Sequence, residues 1–440
     1  MRVWLAVVLG ALAMVWPAFW NGYPLVFSDT GAFLHQTLGP LMIWDKPWIY
    51  GPMMHLLHWK LSLWPVVVGQ GLMLSWLLWR MQGWLRGEAS PAWHVGLCVG
   101  LAVLTPLPFT AALLMPDVLT PVVAMGIALL AWAPLKRCEK PAIGVLVALA
   151  IASHLSHLPL AAGLVAVVAL ASWRKGFVVA GLRAALPLLG AIGLLLVTNA
   201  VGHGRWSLSP HGSTFMLARL IADGPAARTI EAECPARGWY LCGWAGRLPT
   251  DSDEFLWAPT SPMNRDAQGN SIFLGGAKIS PEAREIVAET VKREPWAVFS
   301  AIVRNTLRQL VLIRPGDTLV GDILPTALRP RIAEGFPARE LRAYDGALQS
   351  RHLLEPEMRG FGPLDEVVML LALPLLGFAL WRRREAMAWR LAALVLMGLL
   401  ANAAATGGLS GPHDRYQARI VWLLPAAAVL LLMPKRRETI

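Results

Sequence analysis

The chain has 440 residues, of which 56% are hydrophobic and 15% charged, and its mean hydropathy is +0.51. This balance excludes an ordinary soluble domain and a disordered chain, and points to a polytopic membrane protein. The formal net charge of +11 does not call for nucleic acid, because Lys and Arg in such chains gather in cytoplasmic loops and set orientation.

A membrane helix needs about 20 apolar residues. Windows of that kind fall at 3–20, 61–79, 94–109, 117–134, 141–157, 159–173, 184–202, 365–381, 390–406 and 419–434. The expected fold is therefore an all-α polytopic membrane protein with about ten transmembrane helices. The first window runs into Asn21-Gly-Tyr-Pro without a small-x-small cleavage pattern, so it reads as a retained span. With the N-terminus inside, the inner loops carry Arg2, Arg80, Arg86, Lys136, Arg137, Lys140, Arg174, Lys175, Arg183, Arg382, Arg383, Arg384, Arg390, Lys435, Arg436 and Arg437. Both termini are then cytoplasmic, in a bacterial-type cytoplasmic (inner) membrane.

Three regions follow. Residues 1–202 hold spans one to seven with a first outer loop at 21–60, residues 203–364 form an α-rich mixed extracytoplasmic domain between spans seven and eight, and residues 365–440 hold the last three spans. Val201 to Leu217 reads as irregular or strand-like. Ser280-Pro281-Glu282 supplies a cap, a first-turn proline and a first-turn acid for a helix running to about Arg293. Trp296 to Ile313 reads as an amphipathic helix on the outer membrane surface. As a span it would carry Arg304 and Arg308 inward at about 2.5–3.5 kcal/mol each, and would move the Trp-Arg-Arg-Arg run at 381–384 outside.

Cys98 falls in a span and Cys138 in an inner loop, whereas Cys234 and Cys242 lie close together in the outer region. A Cys234–Cys242 disulfide is expected in an oxidising compartment, with two free thiols as the alternative. There is no metal-type cysteine cluster, and no glycine-rich phosphate loop in the sequence.

Polar residues gather at the outer ends of the spans: Asp29, Asp45 and Lys46 after the first, Asp117 between the third and fourth, and His413, Asp414, Arg415, Tyr416 and Arg419 before the last. Charged groups at membrane level are functional candidates. Asp29 admits two readings, a first-turn acid of a helix over 29–38 capped by Ser28, or an acid doing chemistry at the membrane surface. Asp117 shares that ambiguity. His55 and His58, and likewise His154 and His157, stand three apart but come with no third ligand at motif spacing, which favours interfacial histidines over a metal site. Arg415 and Arg419 run against the positive-inside rule, which suggests an anion to be held, such as a lipid phosphate with Tyr416 as a hydrogen-bonding partner. Snorkelling anchors paired with Asp414 are the alternative.

This layout resembles the GT-C class of membrane glycosyltransferases. The resemblance rests on Asp29 within Phe-Ser-Asp-Thr-Gly-Ala-Phe-Leu after span one, and on Asp-Arg-Tyr-Gln-Ala-Arg-Ile-Val-Trp-Leu-Leu-Pro leading into the last span. It implies a polyprenyl-phosphate-linked sugar as donor, a glycan, lipid or protein acceptor and membrane lipids as partners, no nucleic acid, and no cofactor beyond the donor, with room for a divalent metal. It further implies Asp29 as general base, Asp117 as a second cavity acid, and Arg415 and Arg419 as clamps on the lipid phosphate, with Asp45, Lys46, His413 and Asp414 in support. Asp29 lacks the second acid that follows it in many members. A lipid or glycan transporter or flippase, and a non-catalytic envelope assembly protein, are the rival expectations.

Overall fold

The computed structural model describes residues 2–39, 42–173 and 177–435, so Arg174, Lys175, Arg436 and Arg437 lie outside the described residues. Among the described residues the chain is helical and contains no β-strand. Among the described residues, four helices are long and apolar enough to cross a membrane: Val178–His203, Leu354–Arg383, Ala386–Gly408 and Arg415–Leu432. In the most apolar 18-residue stretch of the first two, only 28% and 33% is buried. Their exposed side chains, among them Leu182, Leu186, Leu189, Leu370, Leu371 and Phe378, form apolar faces that suit lipid and not water. Shorter apolar helices, including Arg2–Met14, Pro91–Leu104, Pro116–Trp132 and His157–Ala171, pack with them into one large core.

Several local expectations change. Val201 to Leu217 is not strand-like. The Phe177–His203 helix runs into it and a new helix starts at Gly212. The turn between them is set by Asn199, whose amide donates to the carbonyls of Ser207 (2.7 Å) and Leu208 (3.2 Å). The helix expected from Ser280 begins earlier and spans Gly275–Arg293, with Pro281 inside it. Ser280 is buried against Ser213 Oγ at 3.0 Å and so packs two helices together instead of capping one.

The 203–364 segment divides by packing. Leu217, Leu220, Ile230, Trp239, Phe255, Ile279 and Ile286 belong to a small separate cluster, braced by the Cys234–Cys242 disulfide. The later part, from Ile313 to Met358, contributes to the main core instead. It is stitched to the first loop by two buried side chains. Glu340 accepts from Tyr23 Oη (3.0 Å) and the Leu63 amide (2.8 Å). Gln349 exchanges bonds with Val26 at 3.1 and 2.8 Å, and its backbone amide donates to Asn21 Oδ1 at 2.7 Å. Buried polar groups need such partners, so these pairings fix the loop that carries Asp29.

The Pro295–Val311 helix is two-faced. Asn305 and Gln309 are buried, while Trp296, Phe299, Val303, Leu307 and Val311 make an exposed apolar stripe at spacings of three and four, the pattern of a helix meeting an apolar medium on its outer side.

Candidate active site

The loop after the first helices is locked to the segment that carries Asp117. The Leu25 amide donates to the Ala112 carbonyl at 3.0 Å and the Leu114 amide returns to the Leu25 carbonyl at 2.9 Å. Phe27 stays extended, its amide donates to Thr30 Oγ1 (2.9 Å), and Thr30 in turn donates to the Leu114 carbonyl (3.0 Å). Thr30, not Ser28, therefore closes the first turn of the Ser28–Leu38 helix, with Asp29 in that turn. Gly31 is required for close approach: a Cβ there would stand 2.1 Å from the Ala327 carbonyl oxygen, so the Leu324–Ala327 turn can lie on this helix only because the side chain is absent.

Asp29 Oδ1 lies 3.1 Å from Lys46 Nζ, and Lys46 also bonds Asp45. The Lys46 and Asp45 side chains are largely shielded, 10% and 7% exposed, whereas Asp29 is 32% exposed. Burial pushes the Asp29 carboxyl up, but Lys46 and then Arg415 outweigh it and hold it below its ordinary value. Burial likewise lowers Lys46, and Asp29 and Asp45 outweigh it, so the ammonium is held. This corner is a preorganised carboxylate beside a fixed cation.

Arg415 closes the other side. Its guanidinium sits 4.0 Å over the Phe27 ring and 4.9 Å from the Tyr416 ring, a cation on aromatic faces. Its side chain is 10% exposed and its Nε lies 3.5 Å from Asp317 Oδ2. Nη2 donates to Tyr416 Oη at 3.3 Å, but Nε and Nη1 are buried without a hydrogen-bond partner. Buried donors left in this way are uncommon in folded proteins.

Arg419, one turn on, is spent internally. It is fully buried; Nη1 donates to Asp117 Oδ1 (3.2 Å) and Nη2 to Ser156 Oγ (2.9 Å) and Asn402 Oδ1 (2.8 Å). Asn402 also donates to the Tyr416 carbonyl at 2.6 Å. Asp117 is buried with Oδ2 unpartnered. Asp117 and Arg419 thus form one buried ion pair that ties three helical segments together.

His413 faces two carboxylates, with Nε2 3.5 Å from Asp253 and Nδ1 3.9 Å from Asp317. Gln309 brackets its backbone at 2.7 and 2.9 Å. Asp414 accepts from the Arg314 amide at 3.3 Å. Burial raises the Asp317 carboxyl, with Arg415 and His413 opposing. His157 is a packing histidine: its Nδ1 meets the Ala150 carbonyl at 2.7 Å and its Nε2 meets Thr120 Oγ1 at 2.8 Å. His154 bonds its neighbour Ser156 at 2.7 Å, and His58 Nδ1 accepts from the Lys60 amide at 2.9 Å.

The structure thus brings Asp29, Asp45, Lys46, Arg415 and Tyr416 to one rim, with His413 linked to it through Asp317. Asp117 and Arg419 lie in the packed floor. Asp253, Asp317 and Asn402 escaped the sequence reading, and Phe27, although it opens the motif around Asp29, was given no role there. Asp253 and Asp317 were lost in an acid-rich segment, and Phe27 and Asn402 carry no charge pattern to find them by. Among the described residues, no group of three or more His, Cys, Asp or Glu side chains is placed to hold a metal ion. Compared with protein-family models, curated proteins and solved structures, the chain matches none of them.

Proposed function

We propose that the protein is an integral membrane glycosyltransferase that moves a sugar from a polyprenyl-phosphate donor to a lipid, glycan or protein acceptor. The reaction runs at the outer face of a cytoplasmic membrane, in a GT-C-like bundle of about ten spans with both termini inside. The observation that carries this reading is the buried Arg415 guanidinium with two unfilled donors, facing a loop whose Asp29 carboxylate is kept ionised by Lys46. An anion seat beside a carboxylate is what transfer from a lipid phosphate needs.

In this reading an acceptor hydroxyl oxygen attacks the anomeric carbon and its proton passes to Asp29. The bond from that carbon to the phosphate oxygen breaks, and its electron pair leaves with the phosphate. Arg415, with the Tyr416 hydroxyl beside it, stabilises the departing charge. Lys46 keeps Asp29 ionised and oriented, and Asp45 holds Lys46. Arg419 acts at one remove: paired with Asp117 and bonded to Asn402, it fixes the helix turn that presents Arg415.

The test is mass spectrometry of glycans and lipid-linked sugars from cells carrying Asp29→Asn or Arg415→Ala. Loss of one glycan with accumulation of its lipid-linked donor is expected. Unchanged profiles with normally expressed variants would overturn the assignment.

A further inference from the structure

The short Ser252–Trp257 helix touches both halves of the rim. Its start is fixed by Asp251, whose side chain accepts from the Asp253 and Glu254 amides at 2.8 and 3.1 Å, a well-formed N-cap. Asp253 meets His413, and at the other end Trp257 lies under Lys46, with Nζ 5.7 Å from the ring centroid. The indole does not stand alone. It packs against Trp44 at 6.1 Å and Phe215 at 6.3 Å, and Trp44 stacks on Phe215 at 5.5 Å. Trp44 itself belongs to the first loop, one residue before Asp45.

Three rings from two regions therefore pack together, Trp44 stacked on Phe215 and Trp257 tilted against both, and yet Trp257 remains 47% exposed. Leaving so large an apolar ring in the open costs burial energy, and here it happens beside the Lys46 ammonium, which is itself paired with Asp29 and Asp45. A flat apolar face rimmed by charged hydrogen-bonding groups matches a pyranose, which offers an apolar face of C–H groups and an edge of hydroxyls. We infer that Trp257 is a carbohydrate-stacking subsite: a pyranose ring lies on its exposed face, with its hydroxyls directed at Asp29, Asp45 and Lys46. This rests on the transferase reading for its location, but the stacking contact itself requires no turnover. The ring belongs to the acceptor or to the sugar of the lipid-linked donor.

The experiment is saturation-transfer NMR on the full chain in lipid nanodiscs, with the methyl glycosides of glucose, galactose, mannose and N-acetylglucosamine as probes. Wild type should give a signal with at least one probe. Trp257→Ala should weaken that binding by about tenfold, Trp257→Phe should keep most of it, and Asp29→Asn should bind while failing to transfer. No wild-type signal with any probe, or a Trp257→Ala signal equal to wild type, overturns the inference. A Trp257→Ala loss without rescue by Phe, accompanied by a lowered melting temperature, also overturns it. If binding depends on Trp257 but no variant or wild type transfers sugar, the transferase reading fails and the subsite stands. Where transfer is measured, a raised KM for the acceptor assigns the ring to the acceptor and a raised KM for the lipid-linked sugar assigns it to the donor. A fall in kcat with both KM values unchanged overturns it.

Discussion

Arg415 and Arg419 lie one turn apart in the Arg415–Val421 helix, and they have opposite fates. Arg419 is fully buried and its donors meet Asp117, Ser156 and Asn402. Arg415 rests on aromatic faces with Asp317 at the edge of ion-pair range and two buried donors unfilled. The same residue type on the same helix is structural where carboxylate, hydroxyl and amide converge, and keeps two nitrogens without a hydrogen bond where aromatic rings, the Tyr416 hydroxyl and the Asp317 carboxylate at 3.5 Å surround it. Satisfaction of donors, not the presence of charge, separates floor from rim.

The largest expected effect tests the floor. Arg419→Ala leaves Asp117 buried and uncompensated and should cost about 3–5 kcal/mol of stability, read as a lowered denaturation midpoint in detergent. Replacing both partners by apolar residues should restore most of it, because the ion pair itself repays little beyond its desolvation. Arg415→Ala should melt near wild type and instead slow transfer by about 10²–10³-fold, the loss that accompanies removal of one preorganised charge-stabilising donor. Equal melting losses for the two variants would erase the distinction.

The next prediction separates the rim from the module that overhangs it. Replacing Cys234 and Cys242 by Ser should cost the small cluster about 2–3 kcal/mol through its short closed loop. Hydrogen exchange should speed up across 217–298, including the Ser252–Trp257 helix, while the Asp117–Arg419 floor stays protected. Faster exchange throughout the chain would show that the two cores do not melt separately.

The smallest effect concerns Asp317. Burial raises its carboxyl, against Arg415 and His413, so the folded protein holds a proton that the unfolded chain releases near pH ~3.9. This group's contribution is therefore most favourable below about pH 4 and is lost as pH rises through the folded value. Asp317→Asn should gain stability relative to wild type as the pH is raised through that window, measured by thermal melts. A gap that moves the other way would mean that Arg415 holds Asp317 ionised.

Much of the frame was legible in the residues themselves. The apolar helical character of the chain, with four of the described helices long enough to cross a membrane, the placement of Asp29 in a first helical turn, and the Cys234–Cys242 pair follow from local pattern and spacing, and each appears in the structure. Local signals misled where a side chain served tertiary packing: Ser280 looks like a cap but is buried against Ser213, and Ser28 looks like a cap where Thr30 closes the turn. The Gln309 face of the Pro295–Val311 helix was hidden in the same way, since periodicity shows an amphipathic helix but not what its polar positions hold.

The sequence by itself determined that this chain is an apolar helical protein with charged residues near the ends of the apolar segments, because hydropathy and helix signals are local. Only the tertiary structure decided which of those residues meet. Asp29 and Lys46 are brought together within one loop, but Phe27 lies beneath Arg415, and Asp117 opposite Arg419, across some three to four hundred residues of chain. Such pairings are set by the buried stitches of Glu340, Gln349 and Asn402, which no spacing rule encodes. The physical reason is that a buried donor or acceptor is settled by whichever partner the packed fold supplies, and that partner is not written next to it in the chain.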